Sequence, residues 1–397
     1  MAQHKIMTVY GTRPEAIKVA TVIAALERDN RFISIPVVTG QHREMLDQVN
    51  ALFGITPKHD LDLMQPGQPL NGIVARAIAG VDKLLVLEQP DVVIVQGDTS
   101  TAMAAAIAAF NRQVTVVHLE AGLRTGDIDS PFPEEANRKI ISQVAKLHLA
   151  PTRGSRDNLF HESVEPSMIV VTGNTVIDAL LEAATWDTVP GDPAVAAALA
   201  SGRPIVLATT HRRESLGRSM DAIGRALAKI AKKHRDHIVI LPVHRNPIVR
   251  EAVLPHLEGE HNIIVTEPLP YAEFTTVMAA ARIILTDSGG VQEEAPSLGK
   301  PVLVMRENTE RPEAVDAGTV RLVGTDHDRI VFEANHLLED AVAYEAMANA
   351  VNPYGDGNAS RRAVAAIAHL LGVGGREPDF NPLLAPRVAL TSHRTPS

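Results

Sequence analysis

The chain has no cysteine. That absence excludes disulfides, thiolate nucleophiles, zinc fingers and iron–sulfur clusters together. At 397 residues the chain can bury a large core without such staples. Missing cysteine does not fix the compartment, but a reducing cytoplasm is the natural reading. An excess of positive charge is also lacking: 38 basic residues face 47 acidic ones, for a net charge of −9. A nucleic-acid partner is therefore not expected, although basic clusters in a cleft remain compatible with that balance. No apolar run approaches the ~18 residues that a bilayer-spanning helix needs. The longest, around Ala102 to Phe110, reads as an alanine-rich helix. No signal peptide is read at the start, where Lys5 is followed only by the short run Ile6 to Tyr10. Neither a Gly-x-Gly-x-x-Gly nor a Walker pattern occurs, so nicotinamide and ATP fingerprints are missing. What these absences leave is a soluble, cytoplasmic α/β protein of enzyme size with no membrane partner.

What is present is an alternation of short β-branched runs with alanine-rich helical stretches. Ile6 to Tyr10, Ile33 to Val38, Val92 to Val95, Val114 to Leu119, Leu147 to Ala150 and Ile169 to Val171 read as one series of strands. Near-continuous apolar character fits parallel strands buried on both faces. A second series runs Ile205 to Ala208, Ile238 to Leu241, Ile263 to Val265, Ile283 to Leu285 and Pro301 to Val304. Pro14 to Arg28 and Thr99 to Phe110 carry helical periodicity between strands. Turn formers interrupt the pattern from Thr185 to Pro204, which marks a linker. The expected fold is thus α/β, with two doubly wound, Rossmann-like domains facing a cleft, covering 1–184 and 185–359. Residues 377–397 carry four prolines and polar ends, and read as a poorly ordered tail.

Open parallel sheets bind ligands beyond the carboxyl ends of their strands, so the residues there are the candidates. Arg13 and Lys18 follow the first strand at a helix start marked by Pro14. Cations there are mildly unfavourable unless an anion joins them, which suggests a phosphate, although two solvated surface cations would look the same. Ser288, Gly289 and Gly290 open a helix after the strand ending at Leu285. Glycines let a phosphate approach exposed N–H groups, and Glu294 is within reach of a ribose diol; a plain turn is the alternative. Asp98 stands before Thr99 and Ser100 and reads equally as an N-cap. Glu120 closes a buried strand, where a carboxylate needs a partner or a role. Glu134 follows Pro131-Phe132-Pro133 and could be a first-turn acid favoured by the helix dipole. His211 is either structural or part of a cationic end with Arg212 and Arg213. Two Asp-x-Asp triplets, Asp60 to Asp62 and Asp127 to Asp129, are too short to assign a metal, and no zinc-ligand spacing is convincing.

Taken together, these stretches resemble the non-hydrolysing UDP-N-acetylglucosamine 2-epimerase family of bacteria. The resemblance rests on Gly11 to Lys18, Gln41 to Asp47, His118 to Gly126, Gly173 to Asp178, His211 to Ser215, Leu285 to Val304 and Asn352 to Gly357. It implies a GT-B arrangement of the two domains, with a last helix at about 360–376 crossing back to the first. It implies catalytic roles for Asp98, Glu120, Glu134 and His211. Arg13, Lys18, Leu269, Phe274, Ser288, Gly289, Gly290, Glu294 and Arg311 match substrate-binding positions, with Phe274 on uracil and Glu294 on ribose. Gln41, Arg212 and His244 match positions of a second, activating UDP-N-acetylglucosamine, a site to which Glu134 also belongs. Glu44 and Gly67 stand where some members have Gln and Arg. The family also implies a homodimer, no cofactor, no metal, and the supply of UDP-N-acetylmannosamine for surface polysaccharides.

The C2 hydrogen of N-acetylglucosamine is not α to a carbonyl, so without NAD the workable route is anti elimination of UDP to 2-acetamidoglucal, followed by re-addition. A GT-B glycosyltransferase acting on a UDP-sugar and a hydrolysing epimerase are the rival enzymes. A catalytically silent sugar-nucleotide sensor would be expected to have lost Asp98 or Glu120, and both are present.

Overall fold

The computed structural model describes residues 3–40, 43–63, 67–211, 218–309 and 311–384. The chain divides into two compact units, one built from Met1–Ala179 with Tyr354–Asn381, the other from Leu180–Pro353. Each is a parallel sheet with helices. No helix among the described residues is long and apolar enough to cross a membrane.

The first unit carries strands β1 (His4–Tyr10), β2 (Phe32–Val38), β3 (His59–Asp60), β4 (Val92–Gln96), β5 (Thr115–Leu119), β6 (Leu147–Ala150) and β7 (Ile169–Val171). They pair in the order β3-β2-β1-β4-β5-β6-β7. All these pairs are parallel. The second unit carries β8 (Ile205–Thr209), β9 (Ile238–Pro242), β10 (Ile263–Thr266), β11 (Ala281–Thr286), β12 (Val302–Val304) and β13 (Val320–Leu322), in the order β10-β9-β8-β11-β12-β13. Both orders reverse direction once, between β1 and β4 in the first sheet and between β8 and β11 in the second. That is the doubly wound topology, and the crevice at such a reversal is where ligands bind.

Burial explains the strand pattern. Every residue of β4, β6, β7, β9 and β12 is buried, because helices cover both faces. Helix Arg13–Glu27 starts on a capping box: Thr12 accepts from the Glu15 N–H, and the Glu15 carboxylate accepts from the Gly11 and Thr12 N–H groups at 2.9 and 2.7 Å. Helix Ser100–Asn111 is mostly alanine and small residues, and its first ten positions but one are buried in the core of the first unit.

Several boundaries differ from those read in the sequence. The division between units falls inside helix Thr175–Ala183, ahead of residue 185. The stretch read as a linker contains helix Pro193–Ala200, capped by Asp192, whose Oδ1 accepts the Ala194 N–H at 2.8 Å. Asp192 Oδ2 accepts the Thr266 hydroxyl at 2.5 Å, which docks the helix start beside β10. Turn formers there cap a helix. The chain returns to the first unit through helix Ala359–Leu370, which ends earlier than 376 because Gly372 turns into the left-handed region at φ 71°. Beyond it, Phe380 is buried and its N–H donates to the Val171 carbonyl at 2.7 Å, so the chain stays packed past Glu377. Residues 385–397 lie outside the described residues.

Candidate functional site

In the first unit, three loops at the carboxyl edge of the sheet carry the candidates, following β1, β4 and β5. Glu15, buried below them, ties two of these loops together. It holds the β1 loop through the Gly11 and Thr12 N–H groups, and its other oxygen accepts the Thr99 hydroxyl at 2.7 Å. Burial pushes the Glu15 carboxyl up and these hydrogen bonds oppose that rise. Thr99, not Asp98, caps helix Ser100–Asn111, through the Ala102 N–H at 3.1 Å. The N-cap reading of Asp98 is thereby removed.

Asp98 instead faces Arg138, whose Nε and Nη2 lie 2.8 and 2.6 Å from Asp98 Oδ2. The Asp98 carbonyl accepts from Asn137 at 2.8 Å. One residue earlier, the Gly97 carbonyl accepts from His118 Nε2 at 2.7 Å. Burial pulls His118 down to about 3, so its ring is neutral and its Nε2–H is the donor.

Glu120 leaves β5 in the left-handed region at φ 63°, a conformation rare for a residue with a side chain. Its carboxylate is mostly out of water and receives Lys18 Nζ on Oε1 and Gln96 Nε2 on Oε2. Asn174 Nδ2 adds a 3.3 Å contact to Oε1. Gly122, two residues on, cannot be replaced, since a Cβ there would meet the Ser155 carbonyl oxygen at 2.1 Å. Glu134 and Glu135 open helix Glu134–Val144. Glu135 is fully buried and takes the N–H groups of Thr125 and Gly126 at 3.2 and 3.4 Å. Glu134 is different: its Oε2 is buried with no hydrogen-bond partner. Such an orphaned oxygen is costly unless something else meets it. Arg13 is half-buried and has no side-chain partner among the described residues. A cation beside a helix start with no partner is suited to an anion brought in from outside.

In the second unit the corresponding loops follow β8 and β11. His211 Nδ1 lies 2.9 Å from Asp287 Oδ1, and Asp287 Oδ2 accepts the His211 N–H at 2.8 Å and the Thr210 hydroxyl at 3.0 Å. His244, exposed after β9, stacks obliquely on His211 with ring centroids 6.0 Å apart. Ser288 starts helix Gly289–Glu294, and its own N–H donates to Thr286 Oγ1 at 2.9 Å. Arg311 lies directly over Gly289, where a Cβ would sit 2.7 Å from Nη1. Glu293 fixes that guanidinium through Nε at 2.6 Å. Glu294 reaches back over Gly290, its Oε1 3.2 Å from where a Cβ would stand. Ser288, Gly289, Gly290, Glu294 and Arg311 thus share one corner. Leu269, buried, and Phe274, half-buried, come from the segment between β10 and the end of helix Tyr271–Ala280. Gln41 and Arg212 lie outside the described residues.

The Asp-x-Asp triplets serve as turns: Asp60 Oδ1 accepts the Asp62 N–H at 2.9 Å, and Asp127 Oδ1 accepts the Asp129 N–H at 3.0 Å. Among the described residues, one group has ligand atoms close enough for a metal: His234, Asp236 and His237, in the turn leading into β9, at the opposite end of that strand from the candidates. Sequence reasoning missed Arg138, Asn137 and Asp287. Their partners stand far away in the chain; the signal for Asn137 and Arg138 was their place one turn after Glu134, and that for Asp287 its place directly after β11.

The family model described as UDP-N-acetylglucosamine 2-epimerase matches residues 24–368. The UDP-N-acetylglucosamine 2-epimerase of Escherichia coli (strain K12) is 52% identical over 372 residues, covering 91% of this chain and 98% of that one. Among solved structures, the UDP-GlcNAc 2-epimerase of Neisseria meningitidis, bound to UDP-GlcNAc, is 45% identical with a TM-score of 0.82, covering 92% of this chain and all of its own. That of Methanocaldococcus jannaschii, in complex with UDP-GlcNAc and UDP, is 32% identical with a TM-score of 0.74, over 92% of this chain and 99% of its own.

Proposed function

The chain belongs to the UDP-N-acetylglucosamine 2-epimerase family, and on that premise we propose that it interconverts UDP-N-acetylglucosamine and UDP-N-acetylmannosamine by eliminating UDP and adding it back, without net hydrolysis. The observation that carries this reading is the set of carboxylates at the carboxyl edge of the first sheet. Asp98 and Glu120 are each held by a cation, and Glu134 keeps a buried oxygen unpartnered.

In the α-linked gluco sugar, C1–O and C2–H are trans-diaxial, so anti elimination needs no ring distortion. A base takes the C2 proton; the C–H electron pair becomes the C1=C2 bond, and the C1–O pair leaves with UDP. The product is 2-acetamidoglucal. For the manno sugar to form, a proton joins C2 from the other face and a UDP oxygen closes on C1. Two acid/base groups on different faces of C2 are required, and Asp98, Glu120 and Glu134 supply them.

The departing diphosphate gathers negative charge, which preorganised donors stabilise without reorganising. Arg13, Lys18 and His211, with the N–H groups at the Ser288 turn and Arg311, take that role. Lys18 divides its charge between Glu120 and the phosphate. Phe274 stacks on uracil, the backbone near Leu269 flanks the base, and Glu294 accepts from the ribose diol. The same reading includes a homodimer, a second UDP-N-acetylglucosamine that activates through Gln41, Arg212 and His244, and delivery of the product to polysaccharide synthesis; its support is the family resemblance.

The test is incubation with UDP-N-acetylglucosamine alone, followed by NMR. A mixture of the two intact UDP-sugars supports the reading. Free N-acetylmannosamine with UDP identifies the hydrolysing reaction, and no change without an acceptor points to a glycosyltransferase.

A further inference from the structure

Asp98 is gripped on one side only. Both Arg138 contacts, at 2.8 and 2.6 Å, go to Oδ2. Oδ1 has no partner among the described residues. Arg138 itself is anchored on its far side, where Nη1 lies 3.1 Å from Glu135. Glu135 is fully buried and bonded to the backbone of Thr125 and Gly126, in the loop that follows Glu120. Burial works against the Arg138 charge, but Asp98 and Glu135 more than offset it, so the guanidinium is held firmly cationic. The main chain at Asp98 is fixed as well, by Asn137 on its carbonyl and His118 on the carbonyl before it. Backbone and one carboxylate oxygen are therefore set, and one oxygen is left over.

We propose that Arg138 is a positioning residue for Asp98: by clamping Oδ2 between itself and the buried Glu135 it aims Oδ1 at the reacting sugar carbon, without touching substrate. This rests on the elimination reading above. A lysine cannot reproduce the arrangement, because its single point charge cannot bridge Asp98 and Glu135 with a planar fork.

The test compares Arg138→Gln and Arg138→Lys with the unmodified chain and with Asp98→Asn, using UDP-N-acetylglucosamine as substrate and circular dichroism to check folding. Misplacing a reacting group costs roughly 10²-fold, so Arg138→Gln should lower kcat by about that much with KM nearly unchanged. Arg138→Lys should recover part of the loss. In the Asp98→Asn background, adding Arg138→Gln should change the remaining rate less than about twofold, because residues acting through one another are not additive. A wild-type kcat in Arg138→Gln overturns the inference, and so does a full, additive loss in the Asp98→Asn background. If Arg138→Gln does not fold, Arg138→Lys decides: reduced kcat at constant KM supports the clamp, and full kcat overturns it. An unmodified chain that does not epimerise removes the reaction reading and this inference with it. An active chain matched by Arg138→Gln removes this inference alone.

Discussion

His211 lies against Asp287, a carboxylate with no exposed surface: its backbone N–H donates to Oδ2 at 2.8 Å and its ring Nδ1 sits 2.9 Å from Oδ1. The histidine side chain is 42% exposed, so one end of the ring is fixed and the other is open. Replacing Asp287 by Asn removes one acceptor from this arrangement and frees the ring to rotate. The expected result is a loss of turnover of about 10²-fold, the scale for a misplaced group, with UDP still bound. Steady-state kinetics on a folded Asp287→Asn protein checks it; wild-type turnover contradicts it.

Asp98→Asn and Glu120→Gln keep shape and lose the ability to exchange a proton. Each should lower kcat by roughly 10²–10⁴, the range for removing a positioned acid or base. UDP affinity should change little, because the groups assigned to the nucleotide lie mainly in the second unit. Near-normal turnover in either variant returns that residue to a structural role.

Glu294 bends back over Gly290 at the start of its helix. If its carboxylate accepts the ribose diol, Glu294→Ala weakens UDP binding by about 1.5–3 kcal/mol, the range for hydrogen bonds to a charged group. Calorimetry with UDP reads this directly, and unchanged affinity in a folded variant eliminates the assignment.

The stability of the fold should fall in mild acid. Burial holds His118 down to about 3 and His148 down to about 4, against 6.5 for an exposed ring. As pH drops below 6.5 the unfolded chain takes up protons that the folded chain refuses, so stability declines until about pH 3. Asp178 acts in the other sense. Burial raises it from 3.8 to about 6, so between those values the folded form binds the extra proton and gains stability as pH falls. Glu15, also raised by burial, acts with Asp178, but the two histidines with their wide windows, joined by carboxyls held low by ion pairs such as Glu88 and Glu162, outweigh both. Urea midpoints should therefore decrease from pH 7 to pH 4.5, and His148→Gln should flatten that slope; a level midpoint in the parent protein contradicts the account.

Much of the fold was legible because buried parallel strands announce themselves as short β-branched runs. Thr99 and Glu15 show where legibility stopped. An Asp-Thr-Ser sequence offers three capping side chains, and only the backbone angle decides that Thr99 caps while Asp98 turns to a partner 40 residues along the chain. Strand β3 has two residues, too few to carry a pattern, and it exists because β2 offers an edge. Asp192 and Pro193 looked like a linker, since the same residues that make turns also start helices. In the candidate site, residues at strand ends were readable from position alone. Arg138 was not, because it acts through a contact that exists only once the sheet is assembled; Asp287 directly follows β11, but its contact with His211 was not legible from that position.

The most direct measurement is the hydrogen at C2 of the product when the reaction runs in D₂O, with no NAD added and a chelator present. Elimination and re-addition through exchangeable carboxyl groups predict UDP-N-acetylmannosamine carrying deuterium at C2, with the sugar still attached to UDP. Epimerised UDP-sugar that retains only protium at C2 would contradict it, because the same hydrogen must then have left and returned shielded from solvent.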